Sequence, residues 1–195
     1  MEKISIRKAY KTAWNKFMER PWFLFSLGVG VWVLLFLGSS SNAAFTALGY
    51  IIYGGYLGVL MMHMKGEQIV FDDLFSLDNR WISFVFMGMI KAVFLLLGFL
   101  LFIIPGIYLM VKWMFAEYLV IEKGMRPMEA LRKSSEMTKG HRWKLFFFAL
   151  ASILVMLVGT LLLFVGVIPA GIIVVLATIS IYKKLLNSSN QEVQA

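Results

Sequence analysis

Short polar segments divide the chain into three long stretches that are almost without formal charge. Residues 21–64 carry none, residues 81–121 carry only Lys91, Lys112 and Glu117, and residues 145–182 carry none. A helix crossing the hydrocarbon needs about 20 residues, so each stretch is long enough for two. Turn formers interrupt each one near its middle: Gly38-Ser39-Ser40-Ser41-Asn42, then Pro105-Gly106, then Gly166 through Pro169. Clusters of Gly, Pro, Ser and Asn mark reversals of the chain. The pattern predicts an all-α integral membrane protein with six transmembrane helices in three hairpins, over about 22–38, 43–63, 82–104, 106–122, 144–165 and 168–182. A β-barrel would need alternating polarity in segments of about ten residues, and the stretches do not alternate.

A polar or amphipathic segment precedes each hairpin. In the first, Ile6, Ala9, Tyr10, Ala13, Trp14 and Phe17 recur at helical spacing, with Arg7, Lys8, Lys11 and Lys16 on the other side. This is the signature of a helix lying in the headgroup plane, and Arg20-Pro21 ends it. In the third, Pro127 suits a first helical turn and Gly140 a C-terminal cap. Between them Glu129/Lys133 and Arg132/Glu136 stand at i,i+4. The second segment has a shorter acidic version, Phe71-Asp72-Asp73-Leu74-Phe75. Trp22, Trp81 and Trp143 open the three hairpins at separations of 59 and 62 residues. A parallel threefold repeat is therefore expected within a single membrane domain (1–195): units 1–65, 66–123 and 124–186, then a polar tail at 187–195.

Composition supports the membrane reading, since 60% of residues are hydrophobic and 15% charged, against about 25% charged in soluble domains. Of the Lys and Arg residues, six fall in residues 1–21, two in 63–80, seven in 123–144 and two, Lys183 and Lys184, at the C-terminal end after the last apolar stretch, while the three tips hold none. The positive-inside rule then puts both termini and all four of these segments in the cytoplasm. The first apolar run continues into a hairpin, so a cleaved signal peptide is not expected.

Three charges fall inside the expected spans. Lys91 and Lys112 lie near mid-depth, and Glu117 is nearer the inner end of its helix. Charges there are expensive, so they face the bundle interior and pair. They form either a structural network or, with one cation in surplus, a site for an anionic ligand. Lys112 and Glu117, at i,i+5, are poorly placed to pair, which leaves Lys91 as the partner. The exposed cations suggest a collar for anionic lipid headgroups, drawn from Arg7, Lys8, Lys11, Lys16 and Arg20 and from Arg132, Lys133, Lys139 and Arg142. Gly54 and Gly58 make a GxxxG spacing suited to helix packing. There is no cysteine, and no hydrolase, nucleotide-binding or metal motif is present. The sequence implies no catalytic residue, cofactor or metal. Nor does it suggest a nucleic-acid partner, because its cations are confined to membrane-proximal segments.

The run Ile104-Pro105-Gly106-Ile107-Tyr108-Leu109-Met110-Val111-Lys112-Trp113-Met114-Phe115-Ala116, then Glu129-Ala130-Leu131-Arg132-Lys133-Ser134 and Thr138-Lys139-Gly140-His141-Arg142-Trp143, resembles a prokaryotic family of polytopic membrane domains. That family includes the membrane domain attached to some glycerophosphoryl diester phosphodiesterases and related stand-alone membrane proteins. The resemblance is most specific over residues 100–148 and extends along the chain. It implies a multi-pass protein of the prokaryotic cytoplasmic membrane, with arginine in many relatives where Lys112 stands. In the phosphodiesterases the catalytic residues belong to a separate soluble barrel, so the resemblance transfers none.

Two functions are consistent with the sequence. One is a non-enzymatic module that organises anionic lipid or partner proteins, with a second copy as a possible partner. The other is a small carrier or channel for an anionic or amphipathic solute, using Lys91, Lys112 and Glu117. A polar cavity lined by those charges would favour the carrier, and a packed core with an exposed basic rim would favour the module. Topology is testable directly: cysteines at Ser40 and Gly106 are expected to label with an impermeant reagent in intact cells, and cysteines at Ser76 and Ser135 are not. Labelling at Ser76 or Ser135 would overturn the six-helix arrangement.

Overall fold

The computed structural model describes residues 4–38, 43–75, 80–161 and 166–194. Among them every regular element is helical: α1 (Ile6–Glu19), α2 (Pro21–Gly38), α3 (Ala43–Lys65), a 3-10 turn (Phe71–Phe75), α4 (Arg80–Leu101), α5 (Ile103–Lys112), α6 (Ala116–Lys123), α7 (Pro127–Thr138), α8 (Arg142–Leu161) and α9 (Val167–Gln194). Four stretches are long and apolar enough to cross a membrane: Arg80–Leu101, Ile103–Lys123, Arg142–Leu161 and Val167–Ser189. The bent pair α1–α2 would make a fifth. The molecule is a multi-pass membrane protein. α4 and α8 leave Leu100 79% and Leu161 82% exposed, apolar surface that a soluble chain rarely shows in continuous patches.

The Ser5 hydroxyl accepts the Lys8 N–H and caps α1. Pro21 forces Arg20 out of helical geometry, and the next helix leaves at 97°. The apolar side of α1 does not face lipid as the periodicity suggested. Ala9, Ala13 and Phe17 are buried against the protein, above all against α9, while Trp14 is 53% exposed. Two alanines one turn apart let the helices approach closely, so α9 covers this side. Tyr10 hydrogen-bonds Ser152 of α8 at 2.8 Å, and His63 Nε2 meets the Lys16 carbonyl at 2.8 Å, so α1 is tied to α3 and α8.

The second hairpin also differs from expectation. Its reversal is at Phe102 alone, an extended residue between α4 and α5, and Pro105-Gly106 lies inside the first turns of α5. Pro105 is tolerated there because first-turn N–H groups have no intrahelical partner. Gly98 and Gly106 bring the two helices together: a Cβ on Gly98 would lie 3.2 Å from the Gly106 Cα. The accessible tip is therefore Phe102, 73% exposed, rather than buried Gly106. The tip expected at 38–42 and the label positions Ser40 and Ser76 lie wholly or in part outside the described residues, whereas of the third tip, expected at Gly166 through Pro169, only Gly166 is a turn and Val167 already opens α9.

The expected span 106–122 falls within the candidate span Ile103–Lys123, which a short turn interrupts. α5 stops at Lys112, residues 113–115 form a turn, and α6 begins at Ala116. α8 starts beside α5, where the Arg142 guanidinium donates to the Tyr108 hydroxyl.

The helix contact at Gly106 leads to a prediction. A Cβ there would meet the Phe99 ring at 2.5 Å, so Gly106→Leu is expected to cost about 1–3 kcal/mol through overpacking. Phe102→Leu, at the exposed tip, is expected to leave thermal unfolding in detergent unchanged.

Candidate functional site

The three intramembrane charges do not converge. Lys91 on α4 donates to Glu117 Oε1 on α6 at 2.7 Å, and both side chains are largely buried (16% and 17% exposed). Tyr50 and Tyr53 of α3, with Tyr118 of α6, stand close enough to Glu117 to feel its charge. Tyr50 stacks on Phe84 at 4.6 Å, and Gly88 leaves room for its hydroxyl end. The pair thus has tyrosines of α3 and α6 as neighbours.

Lys112 stands apart. It is half-buried, and its ammonium lies 5.6 Å from the Trp113 ring centroid, within cation–π range. Its carbonyl accepts the Ser134 hydroxyl at 3.0 Å and the Thr138 hydroxyl at 3.3 Å. The Phe115 N–H donates to Ser134 Oγ at 3.2 Å. Ser134 and Thr138 are fully buried, and they satisfy backbone groups that the turn between α5 and α6 releases.

A second ion pair was not expected from the sequence. Lys65, at the end of α3, meets Glu122 Oε1 at 3.0 Å. Arg80 Nη1 donates to the Ile121 carbonyl at 2.8 Å beside it. These residues line a cavity of about 170 Å³. The Tyr182 hydroxyl of α9 faces Glu122 there, and both groups are buried. Both residues of the ion pair stand at the ends of apolar runs, where charges are ordinary, so the sequence carried no signal for it. The close approach on α3 is at Gly55, where a Cβ would collide with the Leu74 carbonyl, while Gly58 meets Ile121 at an ordinary 3.7 Å.

The expected collar divides by environment. Arg7, Lys8 and Lys11 on α1, and Lys139 after α7, are exposed and make no ion pair among the described residues. Lys16 pairs with Glu19 at 2.9 Å. Arg20 donates to the Ile69 carbonyl at 3.4 Å and lies over Phe23 at 5.8 Å. Arg132 faces Glu136 at 3.8 Å, whereas half-buried Lys133 makes no ion pair with Glu129. Arg142 lies 4.7 Å from the Tyr108 ring centroid and donates to its hydroxyl. No cluster of His, Cys, Asp and Glu among the described residues could hold a metal ion.

Residues 83–189, more than half of the chain, match the sequence family described as the membrane domain of glycerophosphoryl diester phosphodiesterase. The match runs from the first turns of α4 into α9, so it takes in both halves of the Lys91–Glu117 pair and the Arg132–Arg142 cations, but none of α1 to α3. No curated protein and no solved structure matches the chain.

If the Lys91–Glu117 pair is structural, Glu117→Ala strands an ammonium in a low-dielectric interior, an expected loss of about 3–5 kcal/mol. Glu117→Ala combined with Lys91→Met is expected to recover much of it, and the combination with Lys112→Met is not. Thermal unfolding in detergent checks this, and a Glu117→Ala protein as stable as the parent would refute the structural role.

Proposed function

The chain belongs to the family of the membrane domain of glycerophosphoryl diester phosphodiesterase, and from that premise we propose that it is a non-enzymatic membrane module organising anionic lipid or a partner protein at the cytoplasmic face. The matched family is the membrane part of that enzyme and not its catalytic part. One contrast carries the reading: two of the three intramembrane charges, Lys91 and Glu117, close on each other in a largely buried pair, while Arg7, Lys8, Lys11 and Lys139 remain exposed. Near an anionic surface each such cation contributes about 1 kcal/mol. The carrier alternative requires Lys91, Lys112 and Glu117 to border a passage. Neither the 170 Å³ cavity beside Lys65 and Glu122 nor the groove between α5 and α8 is lined by any of them.

The same reading includes six crossings, a parallel threefold repeat, and both termini on the cytoplasmic side of a prokaryotic inner membrane. In its support, Gly98 and Gly159 are 61 residues apart and take matching places. Gly98 faces Gly106 and Leu109 across its hairpin, and Gly159 faces Gly166 and Ala170 across the next.

The test uses the whole chain in nanodiscs of mixed phosphatidylglycerol and phosphatidylcholine. The lipid retained around the protein is expected to be enriched in phosphatidylglycerol. That enrichment is expected to fall for the double variant Lys8→Gln/Lys11→Gln, and also between 0.1 M and 1 M salt as the Debye length shrinks from about 10 Å to about 3 Å. Retained lipid of bulk composition would remove the headgroup-gathering role.

A further inference from the structure

The groove between α5 and the start of α8 encloses about 740 Å³, within the roughly 300–1,000 Å³ of single-ligand sites. Ile107 and Val111 form one wall and Phe146 the other, with Tyr108, Arg142 and Trp143 completing the lining. No carboxylate lines it, so its charge is that of Arg142 alone. The guanidinium is held in place by the Tyr108 hydroxyl and ring. Its Nε is buried with no hydrogen-bond partner among the described residues. Only Nη1 is engaged, by Tyr108, so an anion in the groove would meet the remaining terminal N–H groups, which make no other hydrogen bond among the described residues.

The walls determine what kind of anion fits. A free phosphate or sugar phosphate would satisfy the arginine and leave Ile107, Val111 and Phe146 in contact with water. An amphiphile satisfies both. Large apolar side chains flank the groove, with Ile104 80% and Trp143 77% exposed, so it opens toward lipid rather than into the core. An exposed Trp beside an Arg at a helix start is the arrangement found at the headgroup level of a bilayer. Both walls lie inside the matched family region.

The geometry points to a discrete binding site for one anionic glycerophospholipid, its phosphate on Arg142 and one acyl chain along Ile107, Val111 and Phe146. This rests on the reading of the protein as a gatherer of anionic lipid, and adds to it a single resident lipid held apart from the diffuse layer around α1.

Native mass spectrometry of the whole protein, delipidated in mild detergent and then given phosphatidylglycerol, tests the site. The parent is expected to retain one phosphatidylglycerol. Arg142→Gln is expected to lower the retained fraction by about tenfold or more, as for loss of a charge-assisted hydrogen bond. Ile107→Trp, which fills the groove and leaves Arg142 with Tyr108, is expected to do the same in a protein whose unfolding temperature is recorded alongside. Lys8→Gln/Lys11→Gln is expected to leave the retained lipid unchanged. Parent-level retention in both groove variants would overturn the site. So would displacement of the lipid by chain-free glycerophosphoglycerol at equal concentration, or equal retention of phosphatidylcholine. Enrichment in nanodiscs without a retained lipid would refute the groove alone. A retained lipid without enrichment would refute the collar alone.

Discussion

Hydrocarbon offers no hydrogen bonds, so a backbone group released from a helix within a membrane must be met by the protein itself. The turn between α5 and α6 releases the Lys112 carbonyl and the Phe115 N–H, and the hydroxyls of Ser134 and Thr138 meet them. Much of the second half of the molecule follows from that contact. Ser134 and Thr138 stand one turn apart on α7, on a side that also buries Ala130, Leu131 and Met137. α7 is therefore packed onto the broken helix instead of floating at the surface. Gly140, at φ 81°, then reverses the chain, and α8 begins at Arg142 beside Tyr108. The groove between α5 and α8 exists because α7 is pinned to the break.

A second constraint is electrostatic, and α6 carries it. Its residues 118–121 are all buried, and a carboxylate stands at each side of them, Glu117 toward α4 and Glu122 toward α3. Each takes a lysine from a different helix, so this short segment ties both neighbours. Buried ion pairs seldom add much net stability once desolvation is counted. Their effect here is on register: a helix that slid by one turn would separate both carboxylates from their lysines, and the low dielectric would make each lone charge expensive.

Hydropathy made the helical membrane architecture legible, because charge-free runs of that length have few alternatives. Periodicity located α1, and the cap residues Pro127 and Gly140 located α7, but neither could say what the apolar sides would meet. Protein and lipid present similar apolar surfaces, so Ala9, Ala13 and Phe17 look the same in sequence whether α9 or acyl chains cover them. The break at Trp113-Met114-Phe115 had no signal of its own, since it contains neither Gly nor Pro. Its cause lies some twenty residues away in two small hydroxyls that read as ordinary helix-surface polarity. Pro105-Gly106 misled in the opposite sense: turn formers beside a helix start served the first turns of α5 and its contact with α4. The Lys91–Glu117 pair was legible because so few charges fall within the spans. Lys65–Glu122 was not, because both residues lie at the ends of apolar runs where charges are ordinary.

Position 112 shows how side chain and backbone divide the work at the break. The resemblance to the family implies arginine there in many relatives, whereas this chain has lysine. Lysine lacks the planar fork, so a role built on bidentate recognition would not survive the exchange. The environment of Lys112 asks for less than that. Its ammonium lies over the Trp113 ring and meets no carboxylate among the described residues, and either cation can take that place, arginine by stacking and lysine as a point charge. The part that cannot be exchanged is the carbonyl, which every residue supplies and which holds α7 in place. A position that looked in sequence like half of an anion site thus acts here through its backbone, and Arg142 becomes the cation with a donor left to offer.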